Sequence, residues 1–254
     1  MLFHYNRFHE AVFMGVAGEV TGFVNQRYSN VEGYFSLRKA NVELMEENTR
    51  LKNLLKKDFD IPDSSATTVI DSIRVDSIEQ YRKYQYYAAR VINNSVTSQN
   101  NYITINRGYA QGVSKDMSVI SPSGIVGTVV NVSKNMATVM SLLHSQSGVS
   151  ASLQKTGETG RVEWDGRDPQ ELIFKNIPKS IAVQKGDTVV TSLYSTFPAN
   201  YPIGIISEIT EQPSSNFYIL KIKPLANFYN IQFVYVVRNL QKEEQDALEK
   251  TNPK

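Results

Sequence analysis

A seven-residue apolar period runs from Phe13 to Leu55 and restricts what this chain can fold into more than any other feature. Phe13, Val20, Arg27, Tyr34, Asn41, Asn48 and Leu55 fall on one line of a helical net; Val16, Phe23, Asn30, Leu37, Leu44 and Leu51 fall on the line beside it. A stripe with this spacing is the seam of a coiled coil. The second half is the cleaner one. Leu37, Leu44, Leu51 and Leu55 supply apolar positions. Asn41 and Asn48 supply buried amides, which weaken a seam but penalise wrong registers. Glu47 and Lys52 take flanking positions that face each other across a parallel pair. The expectation is a dimerisation helix over residues 1–57, reaching about 65 Å along Phe13 to Leu55 at 1.5 Å per residue. A single amphipathic helix lying on its own domain is the other reading, although that normally needs a wider apolar face.

Beyond Leu55 the periodicity stops. Asp58 to Thr68 is rich in Asp, Ser and Thr and contains Pro62, so residues 58–84 read as a linker. Tyr81 to Tyr87 interleaves aromatic and basic side chains. Stacking on single-stranded nucleic acid is one use of that pattern. With 27 basic against 25 acidic residues over the chain, a strand packing its tyrosines on a sheet is the better reading. From Ala88 to Val237 short runs of Val, Ile, Thr and Tyr recur about every ten residues between Gly, Asn, Ser and Pro, the texture of a β sandwich or barrel.

A faint internal repeat suggests two similar barrels. Val113 to Ser121 resembles Val183 to Ser192, and each is followed by a strand with an internal glycine, Gly127 and Gly204. Such a glycine marks a bulge or a sharp bend. Turns of this composition are also common in unrelated β proteins. In the second copy a longer loop, Leu193 to Tyr201, carries Phe197 and Tyr201, two aromatic candidates for contact with a partner. Residues 239–254 read as a charged tail.

Chemistry is thinly represented. The chain has no cysteine, which excludes disulfides and thiolate metal sites. The histidines are His4, His9 and His144. The zinc-protease helix motif, the nucleophile elbow, the dinucleotide fingerprint and the phosphate loop are all missing. His144 lies near Ser145 and Ser147, with Asp165 and Asp168 further on. A serine hydrolase on twin barrels is therefore one alternative, although no glycine-flanked serine suggests an oxyanion hole. Trp164 in a Trp-Asp-Gly-Arg-Asp turn reads as a packed indole rather than a sugar platform. No catalytic, cofactor-binding or metal-ligating residue is assigned. No run of about 20 apolar residues is long enough to span a bilayer; the most apolar stretch, Ala11 to Gly18, is about half that.

Taken in order, several segments resemble the MreC family of rod shape-determining proteins: the coiled coil, Asn100 to Gly108, Gly112 to Ile120, Gly124 to Val129, Gly160 to Gly166, Gly186 to Ser192, then Phe197 with Pro198, and Ile203 with Gly204. The resemblance covers nearly the whole chain. It implies a mainly β protein with a long N-terminal coiled-coil helix and two small six-stranded β-barrels of chymotrypsin-like topology. The barrels are expected to interlock, one taking about 85–120 plus 205–238 and the other about 121–204 of the region 85–238. It further implies a homodimeric, non-enzymatic scaffold at the periplasmic face of the inner membrane, held by a single-pass anchor preceding Met1. The expected partners are a class-B penicillin-binding transpeptidase, MreD, RodA and the MreB system, in peptidoglycan synthesis during cell elongation. No cofactor is implied, and no nucleic acid. A periplasmic transport adaptor is a further alternative, but such adaptors carry two antiparallel coiled segments and one is visible here.

Overall fold

In the computed structural model of the chain, residues 39–55, 59–60, 72–75, 78–211 and 213–242 are described. Two compact units are distinguished, Met1–Asn48 and Thr49–Lys254. Helix α1 covers 39–52. The chain then turns, with the Leu54 and Leu55 amides donating to the carbonyls of Leu51 and Lys52. The helix therefore stops short of the expected boundary at 57, and Leu55 lies beyond its last turn. The segment expected as a linker contains three short strands, β1 (Phe59–Asp60), β2 (Ser72–Val75) and β3 (Ile78–Arg82), in a small antiparallel sheet ordered β1-β3-β2.

Twelve further strands close into two six-stranded barrels. The first is built from β4 (Tyr84–Asn94), β5 (Asn100–Ile105), β6 (Ser118–Ile120), β7 (Ile125–Val132), β8 (Ala137–His144) and β15 (Phe233–Asn239). The second takes β9 (Gly148–Leu153), β10 (Thr159–Glu163), β11 (Leu172–Pro178), β12 (Thr188–Thr191), β13 (Pro202–Glu211) and β14 (Phe217–Pro224). The second barrel is thus inserted whole between β8 and β15. This corrects the expected partition. The hairpin β6–β7 stays together in the first barrel and β13–β14 in the second, because each pair shares an antiparallel ladder. The seams fall at the short turn between His144 and Gly148 and at the return segment between Pro224 and Phe233.

The two rings have the same order once chain position is set aside. In the second, the strands numbered along the chain run 1-2-3-6-5-4 around the barrel; the first gives the same sequence when β15 is counted as its first strand. One barrel is a circular permutation of the other.

The repeat seen in the sequence falls on equivalent strands of the two rings, β6–β7 and β12–β13. Val119 pairs with Gly127 and Val189 with Gly204, and in both ladders the register shifts immediately afterwards. Asp116 and Gly186 both adopt positive φ, 66° and 93°. Their amides donate to the carbonyls of Val129 and Ile206, both at 2.9 Å. The glycines are required by close approach of a neighbouring strand. A Cβ on Gly127 would lie 2.1 Å from the Met140 carbonyl oxygen, and one on Gly204 would lie 2.6 Å from that of Lys223. A bulge beside a glycine lets each strand bend around its barrel.

Each barrel closes over its own apolar filling. Ile103, Ile105, Val119, Val129, Val139 and Val236 are buried in the first; Ala151, Val162, Phe174, Val189, Leu220 and Ile222 are buried in the second. These are the inward positions of alternating strands.

Candidate interaction surfaces

The stripe on α1 is uncovered in the single chain. Leu44 is 60% exposed and Leu51 48%, and Asn41, Asn48 and Glu47 are exposed as well. Leu37 lies outside the described residues. Lys52 departs from expectation. Rather than lying free on a seam towards Glu47 of a second chain, it is half-buried against three tyrosine rings of its own chain. Its Nζ is 5.5 Å from the ring centre of Tyr86, 5.5 Å from that of Tyr201 and 5.2 Å from that of Tyr235. An ammonium within about 6 Å of a ring face is attracted by its quadrupole, and most strongly where water is displaced.

Asn53 fixes the same turn by a second means. Its side-chain amide donates to the Tyr86 carbonyl at 3.1 Å, and the Tyr86 amide donates to Asn53 Oδ1 at 2.9 Å. β4 pairs with β5 only from Val91 onward, so among the described residues the edge of β4 opposite β15 has no strand beside it at Tyr86. Asn53 supplies the donor and the acceptor that a neighbouring strand would.

Tyr201 joins the barrels. It lies just before β13, yet its hydroxyl donates to the Ser121 carbonyl of the first barrel at 2.7 Å. Burial, with Tyr235 beside it, pushes its phenol up to about 12, and burial raises Tyr235 as well. Both remain protonated, so Tyr201 keeps the hydrogen it donates. Gly124 completes the junction: a Cβ there would sit 3.1 Å from the Ala226 amide nitrogen and 3.3 Å from the Pro202 carbonyl oxygen.

The loop of the second barrel between β12 and β13 displays different residues from those expected. Phe197 is only 2% exposed and fills the interior, and Tyr201 is engaged as just described. The large apolar side chains that the loop exposes are Leu193, 80% exposed, and Tyr194, 84% exposed. They are adjacent and firmly carried. Ser192 Oγ accepts from the Tyr194 amide and shares a 2.7 Å hydrogen bond with Ser150 Oγ on β9. Ser195 Oγ accepts from the Phe197 amide. Thr191 Oγ1 donates to the Pro198 carbonyl at 2.5 Å and accepts from the Tyr201 amide at 2.8 Å. Sequence reasoning offered Phe197 and Tyr201 because it could not tell which ring the loop turns inward. The available signal was a Leu-Tyr pair set between serines.

Tyr194 borders a cleft of about 290 Å³ where the barrels meet, lined also by Thr128, Gln146, Ser147, Gly148 and Arg161 among others. The guanidinium of Arg161 occupies the space where a side chain at 148 would be: a Cβ on Gly148 would lie 2.0 Å from Nη2.

His144 does not form a catalytic constellation. It is 2% exposed. Its Nδ1 accepts from the Gln146 amide at 3.0 Å, which leaves the proton on Nε2, 3.1 Å from the Tyr102 hydroxyl. Desolvation by burial lowers its pKa, favouring the neutral ring. Ser145 Oγ is bonded to Asn100 Oδ1 instead. Both ring nitrogens are therefore occupied by groups other than a serine nucleophile or an aspartate. Trp164 is buried and donates from Nε1 to the Asp168 carbonyl at 2.8 Å, a packed indole closing its turn. Among the described residues there is no cluster of three or more metal-ligating side chains, and no helix long and apolar enough to cross a membrane.

Comparison with known proteins agrees with this architecture. The family model described as rod shape-determining protein MreC, barrel core, matches residues 91–238. The cell shape-determining protein MreC of Listeria monocytogenes is 30% identical over 227 residues, covering 88% of this chain and 73% of that protein. The chain spans about half, 53%, of the corresponding protein of Haemophilus influenzae. A solved structure of the Listeria protein superposes with a TM-score of 0.57 at 29% identity, covering 82% of this chain and 92% of that one. A second, described as the major periplasmic domain of the cell shape-determining filament MreC, gives 0.51 at 25% identity over 61% and 99%.

Proposed function

The chain belongs to the MreC family of rod shape-determining proteins, and from that membership we propose that it acts as a non-enzymatic scaffold of cell elongation. In this reading α1 continues a longer coiled coil that pairs two chains in parallel through Leu37, Asn41, Leu44, Asn48 and Leu51. The barrels, of chymotrypsin-like topology, present loops to a class-B penicillin-binding transpeptidase and favour its active conformation by binding that state more tightly. The protein works at the periplasmic face of the inner membrane, alongside MreD, RodA and the MreB system.

The observation that carries this reading is the uncovered stripe of α1. Leu44 and Leu51 lie one heptad apart, and both stand in solvent in the single chain. Apolar surface repeated at that period is covered by a second helix. The pinned His144 disfavours the hydrolase reading. Among the described residues no second helix runs antiparallel to α1, as the hairpin of a transport adaptor would require.

The test is a pull-down of the periplasmic part of the cognate class-B transpeptidase by this chain, with and without residues 1–57. Retention by both forms, stronger with the helix present, supports the scaffold. No retention by either form contradicts it.

A further inference from the structure

Leu193 and Tyr194 form the most solvent-exposed pair of large apolar side chains among the described residues, 80% and 84% exposed, on a loop fastened at Thr191, Ser192 and Ser195. Isolated exposed apolar residues are ordinary, but an adjacent pair on a preorganised loop differs. The backbone that carries the pair is fastened before any partner arrives, so binding does not have to order the loop as well. The loop is preorganised for display rather than for packing, since Phe197 on the same loop already supplies the apolar plug.

The cleft beside Tyr194 adds chemistry. Its lining holds one cation, Arg161, several hydroxyls and no carboxylate. The nearest acid is Glu163, at 3.9 Å from Arg161 Nε, and Glu163 is bonded more closely to Lys175. Gly148 lets the guanidinium lie against the β9 backbone, where its donors border the cleft. A planar fork of that kind suits a carboxylate.

We infer that the Leu193–Tyr194 loop and the Arg161 cleft together form the anchor site for a protein partner that offers an apolar socket with a carboxylate at its rim. Tyr194 and Leu193 enter the socket while Arg161 takes the carboxylate. That the partner is the transpeptidase rests on the scaffold reading above.

The full chain is titrated over the immobilised periplasmic part of the class-B transpeptidase by surface plasmon resonance, at two salt concentrations. The wild type, Leu193→Ser with Tyr194→Ser, Arg161→Gln and Gly148→Ala are compared, with melting temperatures as a fold control. The double variant weakens binding at least about tenfold, as loss of hot-spot side chains does. Arg161→Gln weakens it by about threefold to tenfold and flattens its salt dependence, since a rim charge acts chiefly through long-range attraction. Gly148→Ala shifts the result in the same direction by displacing the guanidinium. A double variant that folds and binds within twofold of wild type overturns the site and leaves the scaffold reading standing. A wild-type chain that does not bind overturns both.

Discussion

The Tyr201 hydroxyl of the second barrel donates to the Ser121 carbonyl of the first at 2.7 Å, and the same tyrosine ring faces the Lys52 ammonium. One side chain thus ties the two barrels together and closes the aromatic box over the last turn of α1. Tyr86 and Tyr235, from neighbouring strands β4 and β15, supply the other walls. Residues of both barrels thus contribute to one junction beside the last turn of α1.

Tyr201→Phe removes that hydrogen bond while keeping the ring. The Ser121 carbonyl loses its donor, and unfolding in urea at pH 7 shows a loss of about 1 kcal/mol, the usual net worth of such a bond. The pH dependence follows from the raised phenol. Its value rises from 10.0 to about 12 on folding, so folding favours the protonated form. That contribution is complete below pH 10 and disappears as pH climbs towards 12. Melting temperatures taken across this window fall more steeply for the wild type than for Tyr201→Phe.

Replacing Lys52 tests the aromatic box. Lys52→Met keeps an unbranched apolar stem of similar reach and removes the charge, at a cost of about 1–2 kcal/mol. Tyr235→Leu in the Lys52→Met background costs less than Tyr235→Leu alone. A double-mutant cycle in urea with no coupling between the two would remove the cation from the account.

Asn53→Ala leaves the amide and carbonyl of Tyr86 without their side-chain partners and costs about 1–3 kcal/mol. Hydrogen exchange localises the effect: the Tyr86 amide loses protection, whereas Val139 in the far wall of the first barrel keeps it.

The equivalent glycines give an ordered pair of predictions. Gly127→Ala places a methyl 2.1 Å from a backbone oxygen, and Gly204→Ala places one 2.6 Å away. Neither contact is relieved by a side-chain rotation, so strands must part. Both variants unfold at lower denaturant than wild type, Gly127→Ala at the lower concentration of the two.

Much of this was legible in the residues. The alternation from Ala88 to Val237 announced barrels because interior and exterior positions alternate along each strand. The repeat was legible because Val119 and Val189, with Gly127 and Gly204, answer the same two steric demands. The partition into barrels was not, since it depends on which distant strands pair, and β15 returns to β4 after the whole second barrel has intervened. Nor was the fate of Lys52. Heptad position alone sent it towards Glu47 of another chain, whereas Tyr86, Tyr201 and Tyr235 are scattered over 150 residues and meet only through the fold. In the loop, Phe197 and Tyr201 were the aromatics the sequence offered, with no sign of which ring turns inward. The hydrogen bonds of Thr191 and Ser195 decide which one turns inward.

The proposed pairing and display meet in one measurement, sedimentation velocity of this chain mixed with the periplasmic part of the class-B transpeptidase proposed as its partner. A single fast boundary with the mass of two chains and two transpeptidases is expected, reduced to one of each by Leu44→Asp with Leu51→Asp while the β region stays folded. Two independent boundaries, each at the mass of its own monomer, would contradict the account.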